Sequence, residues 1–353
     1  MTEAAPAAAQ PPARDIGLDA ARGALMAYIV IIIHGTFWLS VIPPGPGSWL
    51  LFEMPPVFII TGAAFYLGEI AKGRGTPYPK FLWRRAVRIL VPYFAYALVC
   101  AAIVLAVRYQ QDGLGVQTLW AAVWAWINPL TRGGGHTMYM LSWHLWFVPP
   151  FLLVTALMPL IAPRRAPSWL RPWTLALIGF VIVLGAHQIT FPQNEMVQEA
   201  ISYGLWAVFG VLIAAQPGRY KTWEYALVFV LAIAGLAAAN VALPGRVTLD
   251  MQMNKFPPNA MFFLFCCAWM MFWLIALRAL GSVRVDKLAN LPMLKLFMSA
   301  GYSIYLWQGL GYTAAAALGR PLHWSPYAIW PLAIAITIVL GLMAAPLERI
   351  RVR

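Results

Sequence analysis

Charged residues are scarce in this chain of 353 amino acids: Asp, Glu, Lys and Arg together make up 10% of it, whereas hydrophobic residues make up 61%. In soluble domains about a quarter of the residues are charged. The scarcity excludes an ordinary soluble domain. Repeated apolar runs approach the ~20 residues that cross a bilayer. No alternating pattern typical of strands competes with them, so the expected fold class is an all-α polytopic membrane protein.

Cysteine is also rare. The chain has three, Cys100, Cys266 and Cys267, and all of them lie inside apolar runs. Their spacing is not that of a metal site, so we expect these side chains to pack in the core and expect no metal cofactor.

The few charges are mostly basic and give a formal net charge of +13. In a soluble chain this excess would suggest a nucleic-acid partner. Here the basic residues lie between apolar segments, where the positive-inside rule accounts for them. We therefore expect the lipid bilayer as the partner, and no nucleic acid.

Ten apolar segments are expected to cross the membrane. If the N-terminus is cytoplasmic, the inner segments hold 20 of the 25 Lys and Arg residues and the outer segments hold 5. This bias holds at every loop and predicts that both termini are cytoplasmic. The segments lie near residues 23–42, 49–70, 86–107, 144–162, 173–190, 200–215, 222–243, 258–279, 297–318 and 326–346.

The first residues do not resemble a membrane segment. Residues 1–14 are rich in Ala and Pro and have no apolar core, which predicts a short disordered tail and not a cleaved signal peptide. Residues 15–353 are then expected to form one transmembrane domain.

Two ionisable residues mark the first span. Arg22 lies at its inner end and His34 close to its middle. Ionisable groups inside a membrane are costly and usually face a bundle interior or a wet cavity. Imidazole titrates near neutrality, so a general base is the functional interpretation of His34. The alternative is a hydrogen-bonded structural histidine, whereas His144, at the start of the fourth span, is expected to be a structural cap near the outer surface.

A second basic cluster precedes the third span. Arg85 and Arg88 are three residues apart and share a helix face, and Arg84 adjoins them. Arginines on one face can bind phosphate with two hydrogen bonds each, so together with Arg22 they could form a phosphate clamp at the inner face. Ordinary topology charge and contact with anionic lipid are the simpler explanation.

These residues fall in a pattern that resembles the membrane acyltransferases of the acyltransferase family 3 class. The family begins with a Leu-Asp-x-x-Arg-Gly run followed by a histidine in the first span, and continues with short elements in later spans. The matching elements run in order along nearly the whole chain: Leu18–Gly23 with His34, Phe58–Gly62, Arg85–Arg88, His144–Phe147 and Tyr302–Trp307.

The resemblance implies an integral membrane O-acyltransferase. It would move an acyl group, often acetyl, from cytoplasmic acyl-CoA to a hydroxyl of a carbohydrate or envelope glycan at a bacterial inner membrane. His34 would be the catalytic base, and Arg22, Arg84, Arg85 and Arg88 would bind the CoA phosphates. A different class remains open, because a transporter or flippase for an anionic amphiphile could use the same residues as a gate and proton relay.

Two positions depart from the family pattern. Eleven residues separate Arg22 from His34, where the family usually has ten. At about 100° per residue, the extra residue would rotate His34 away from the face of Arg22. Either a π-bulge in the first span absorbs it, or neighbouring residues share the role of Arg22. The late element often ends in histidine, but this chain has Gln308, which leaves His34 as the main catalytic candidate.

Overall fold

The computed structural model describes residues 15–112, 116–131, 139–163, 167, 169–191 and 194–350, and it contains no β-strand within them. The predicted tail 1–14 and the glycine loop with His136 lie outside the described residues. The helices of the described chain are α1 Ile16–Tyr28, α2 His34–Leu39, α3 Pro44–Gly47, α4 Met54–Phe65, α5 Tyr78–Asp112, α6 Val116–Ile127, α7 Val148–Ile161, α8 Pro172–Ala186, α9 Asn194–Ala215, α10 Thr222–Ala242, α11 Met251–Lys255, α12 Ala260–Leu280, α13 Ser282–Ala289, α14 Pro292–Gly319 and α15 Pro326–Glu348.

Eight helical segments of the described chain are long and apolar enough to cross a membrane. They are Ile16–Leu39, Pro44–Ile70, Tyr78–Val107, Trp143–Ile161, Asn194–Ala215, Thr222–Ala242, Ala260–Leu280 and Pro326–Glu348. The two other predicted spans are also helical. They are α8, which has 15 residues, and α14, which has 28 but carries many polar side chains. The all-α polytopic fold is confirmed, while the cytoplasmic placement of both termini stays a prediction.

The first span contains a π-bulge, as expected if the helix absorbs the extra residue between Arg22 and His34. Asp15 caps α1, accepting a hydrogen bond from the backbone N–H of Leu18 at 3.0 Å. Between α1 and α2 the chain makes a π-helical turn, Ile29–Ile33, directly before His34. A π turn takes up one extra residue without ending the helix, so the prediction is confirmed.

Side chains donate hydrogen bonds to three successive backbone carbonyls of the π turn. Tyr312 donates to the carbonyl of Val30 at 2.7 Å, Trp330 Nε1 to Ile31 at 2.9 Å, and Thr36 to Ile32 at 2.8 Å. Backbone polar groups in the bilayer core need partners inside the protein. Two of these donors come from α14 and α15, so those helices stabilise the irregular turn.

Two glycines allow the helices α4 and α9 to pack backbone against backbone. A Cβ on Gly62 of α4 would lie 1.8 Å from the carbonyl oxygen of Ala207 in α9, and one on Gly210 would lie 2.0 Å from that of Ile59. Small residues let membrane helices approach this closely. Gly62 therefore serves the close packing of α4 against α9.

We expect Gly62→Ala to lower the stability of the folded protein, because α4 and α9 must separate to admit the methyl group. The expected loss is about 1–3 kcal/mol, typical of overpacking, read as a lower thermal midpoint in detergent. Gly185→Ala in α8 is the matched control, since nothing lies within 4 Å of the Cβ it would add. Equal midpoints for the two variants would contradict the close approach.

Candidate active site

His34 lies at the centre of the site, with only 5% of its surface exposed. Its ring stacks on Trp38, with the centroids 4.1 Å apart. Its Nδ1 lies 2.6 Å from Oε1 of Gln308 in α14. Because an amide oxygen only accepts hydrogen bonds, this contact assigns the proton to Nδ1 and leaves the lone pair on Nε2. A histidine held in this tautomer can take a proton at Nε2.

Aromatic rings enclose the imidazole on other sides. The centroids of Trp143 and His144 each lie 6.3 Å from that of His34, and Tyr305 lies at 6.4 Å. These rings belong to the segment before α7 and to α14, so the pocket joins parts of the chain that are far apart in sequence.

His144 is fully buried among the helices and makes structural contacts. Its position near the outer membrane surface stays a prediction. Its Nε2 donates to the carbonyl of Leu306 at 2.9 Å, and the Tyr305 hydroxyl donates to the carbonyl of His144 at 2.5 Å. This pair of hydrogen bonds fixes the turn of α14 from which Gln308 projects.

Arg22 and His34 face the same neighbouring helix. Arg22 donates to the carbonyl of Met298 in α14 at 3.1 Å, and Gln308, the partner of His34, follows ten residues later in that helix. Ten helical residues span about 15 Å. The π turn therefore keeps both side chains on the side that contacts α14. Arg22 also pairs with Asp19 at 3.1 Å, so its guanidinium is already engaged.

The helix α14 is broken beside Arg22. Ala300 has non-helical φ and ψ of −137° and 22°. A break of this kind removes the helical partners of the Met298 carbonyl and the Ser303 N–H. Arg22 binds that carbonyl, and the Glu348 carboxylate binds that N–H. A cation thus lies at the C-terminal end of the first half-helix and an anion at the N-terminal end of the second, as the helix dipole favours.

The three arginines of the second cluster lie at the start of α5. Arg84 and Arg88 are exposed, while Arg85 is partly buried and its guanidinium lies 5.5 Å from the centroid of Phe81. Ile89, the residue after Arg88, accepts a hydrogen bond at its carbonyl from Tyr302, which is one turn beyond Met298 in α14. The structure therefore brings this cluster and Arg22 to the same end of the bundle, flanking one turn of α14.

A cavity of about 350 Å³ adjoins the arginine cluster. It contains the Glu69 carboxylate, which accepts a hydrogen bond from Thr76 at 2.8 Å, and Phe81, the ring under Arg85. A second cavity of about 660 Å³ lies between α8, α10 and α12 and is largely apolar. Of these two cavities among the described residues, neither is lined by His34. The imidazole is 5% exposed and is buried among packed side chains.

Glu53 has its partner far away in the sequence. It forms a buried ion pair with Lys255, the last residue of α11. Both residues are 2% exposed, and the Lys255 ammonium lies 5.2 Å from the centroid of Trp146. Nothing in the sequence links two residues 202 positions apart.

Comparison with known families finds a match over most of the chain. The profile of acyltransferase family 3, described as an acyltransferase domain, matches residues 15–345. Comparisons with curated proteins and with solved structures find no significant match. Because the family profile covers almost the entire chain, this protein belongs to acyltransferase family 3 and is a membrane acyltransferase.

Proposed function

We propose that the protein is an acyl-CoA-dependent O-acyltransferase of a bacterial inner membrane. It transfers an acyl group, acetyl in the family's common case, from cytoplasmic acyl-CoA to a hydroxyl of a carbohydrate or envelope glycan. The observation that carries the proposal is the contact between His34 and Gln308, because it leaves a buried imidazole with its Nε2 lone pair available. A general base needs this state.

The reaction needs one proton relay. His34 Nε2 takes the proton of the acceptor hydroxyl while the oxygen attacks the thioester carbonyl. The carbon–sulfur bond then breaks, the CoA thiolate takes the proton from the imidazolium, and the products are an ester and free CoA. His34 returns to its starting state, so one residue serves as base and then as acid.

The donor would bind at the end of the bundle that carries the arginines. Arg84, Arg85 and Arg88 are available there to phosphates, since all three are at least partly exposed. Arg22 lies at the same end, but it also caps the broken helix α14 through Met298. The phosphates of CoA, bound at this end, would leave the long pantetheine arm to reach inward toward His34.

The donor arm can reach His34 only after side chains move apart, because the ring is 5% exposed. A sealed pocket excludes water, which would otherwise compete with the acceptor for the thioester. The proposal therefore includes an opening step before chemistry.

Replacing the proposed base tests the function directly. We expect His34→Gln, measured as release of CoA from acetyl-CoA in the presence of a glycan acceptor, to lower kcat by about 10²–10⁴-fold, the usual contribution of a general base. Glutamine preserves the polarity of the site, so the thermal midpoint should change little. His323→Asn is the control, because His323 is exposed in a turn and asparagine tolerates its positive φ of 54°. Normal turnover in His34→Gln would discard the mechanism.

The same assay separates the enzyme from a transporter. Reconstituted vesicles that move an anionic amphiphile without breaking a thioester would favour transport. Acceptor-dependent CoA release and acylated glycan, detected by mass spectrometry, would favour the transferase.

The arginines are expected to differ in what their loss changes. Arg88→Ala should weaken CoA binding by about tenfold or more, since a charge-assisted hydrogen bond contributes ~1.5–3 kcal/mol. Arg22→Ala should weaken CoA binding and also lower the thermal midpoint, because it leaves the Met298 carbonyl without its donor. Titration calorimetry with CoA and melting curves in detergent measure the two effects.

Arg278→Gln is the control for lost charge, since Arg278 is exposed at the end of α12 and lies over the ring of Tyr225. If Arg88→Ala bound CoA as tightly as this control, the phosphate clamp would be wrong.

A further inference from the structure

The side chain of Gln308 has a hydrogen-bonding group that the structure leaves unused. Gln308 is fully buried, and its Nε2 has no hydrogen-bond partner among the described residues. Buried amide groups are almost always paired. An unpaired donor in a buried site, next to the proposed base, indicates that a ligand atom completes it.

The orientation of the amide follows from the function of His34. If Oε1 faces Nδ1, the ring carries its proton on Nδ1 and Nε2 of the ring can accept one. If the amide were reversed, it would donate to Nδ1, and the ring would carry its proton on Nε2, where it could not act as a base. A basic His34 therefore requires the arrangement found, in which the 2.6 Å contact joins Nδ1 to Oε1 and the amide nitrogen is left free.

The turn of α14 that carries Gln308 has little freedom to move. His144 holds it through the Leu306 carbonyl, and Tyr312 holds it through the carbonyl of Val30 in the π turn. At the next residue, Gly309, a Cβ would lie 2.3 Å from the Tyr96 hydroxyl. A hydrogen-bond donor fixed in this way is preorganised, which is what stabilisation of a developing charge requires.

We propose that Gln308 acts in the transfer with both ends of its amide: Oε1 positions His34, and Nε2 donates a hydrogen bond to the thioester carbonyl oxygen. This rests on the proposed function. When the acceptor oxygen bonds to the carbonyl carbon, an electron pair moves onto the carbonyl oxygen, where Nε2–H stabilises it. The pair returns as the carbon–sulfur bond breaks. Gln308 is thus a catalytic residue as well as a positioning residue.

Two substitutions of Gln308 test the roles of the two ends of its amide. Gln308→Met keeps the length of the side chain and removes both polar groups. Its kcat is expected to fall at least about 10²–10³-fold, the usual effect of losing one oxyanion donor, with KM for acetyl-CoA nearly unchanged. Gln308→Glu keeps an acceptor for Nδ1–H but, when ionised, has no N–H to donate. Its kcat is also expected to fall.

Gln308→Glu also allows a second measurement, the pH dependence of the rate, which would not change if Gln308 had only a structural role. Its carboxylate stabilises the imidazolium form of His34. Because the base must be neutral, the rising limb of the rate against pH should move to higher pH. Thr313→Val is the matched control: Thr313 lies on the same helix, and its hydroxyl bonds to the carbonyl of Gly309, so its rate and pH profile should match the wild type.

The outcomes separate this proposal from the proposed function. If the wild-type protein releases no CoA from acetyl-CoA, both the role of Gln308 and the proposed function are wrong. With an active wild type, wild-type kcat in either Gln308 variant, or an unmoved pH limb in Gln308→Glu, overturns the role of Gln308 and leaves the transferase intact. Melting curves in detergent show which variants are folded. Should Gln308→Met fail to fold, the nearly isosteric Gln308→Glu still decides the matter.

Discussion

The contact between the first span and α14 determines the architecture of the site. Both ionisable groups of the first span find their partners on that one helix: Arg22 at the carbonyl of Met298 and His34 at the amide of Gln308. An unpaired polar group in a bilayer core costs several kcal/mol. The two contacts therefore fix how the helices are rotated and staggered relative to each other. Gly23, which packs directly against Met298, lets them come close enough to make both contacts.

Two irregular segments face each other across this contact, and each is stabilised by the helices around it. The π turn before His34 has its carbonyls bound by side chains from α14 and α15. The break at Ala300 has its free carbonyl bound by Arg22 and its free N–H bound by Glu348. Regular helices would satisfy these groups internally and would need neither set of donors. The irregularities are thus specified by tertiary partners, which makes them fixed features of the fold.

How much of the fold and the site could be predicted depends on how far apart in the sequence the interacting residues lie. Hydrophobic runs and charge bias identified ten helical segments, because burial in lipid acts on each segment alone. The π turn was also predicted, since one extra residue between Arg22 and His34 needs local compensation. The partners of His34 and Glu53 were not predictable: Gln308 and Lys255 lie 274 and 202 residues away. Gln308 had been set aside because it replaces a histidine of the family pattern, yet it is the residue that His34 contacts.

Burial of the imidazole bears on how the proposed transfer would work. The ring of His34 is 5% exposed and packs against Trp38, His144 and Tyr305. A titratable group open to both sides at once would conduct protons through the bilayer. In the proposed transfer, donor and acceptor would arrive from opposite sides of the membrane, so one route to His34 would have to stay closed while the other opens.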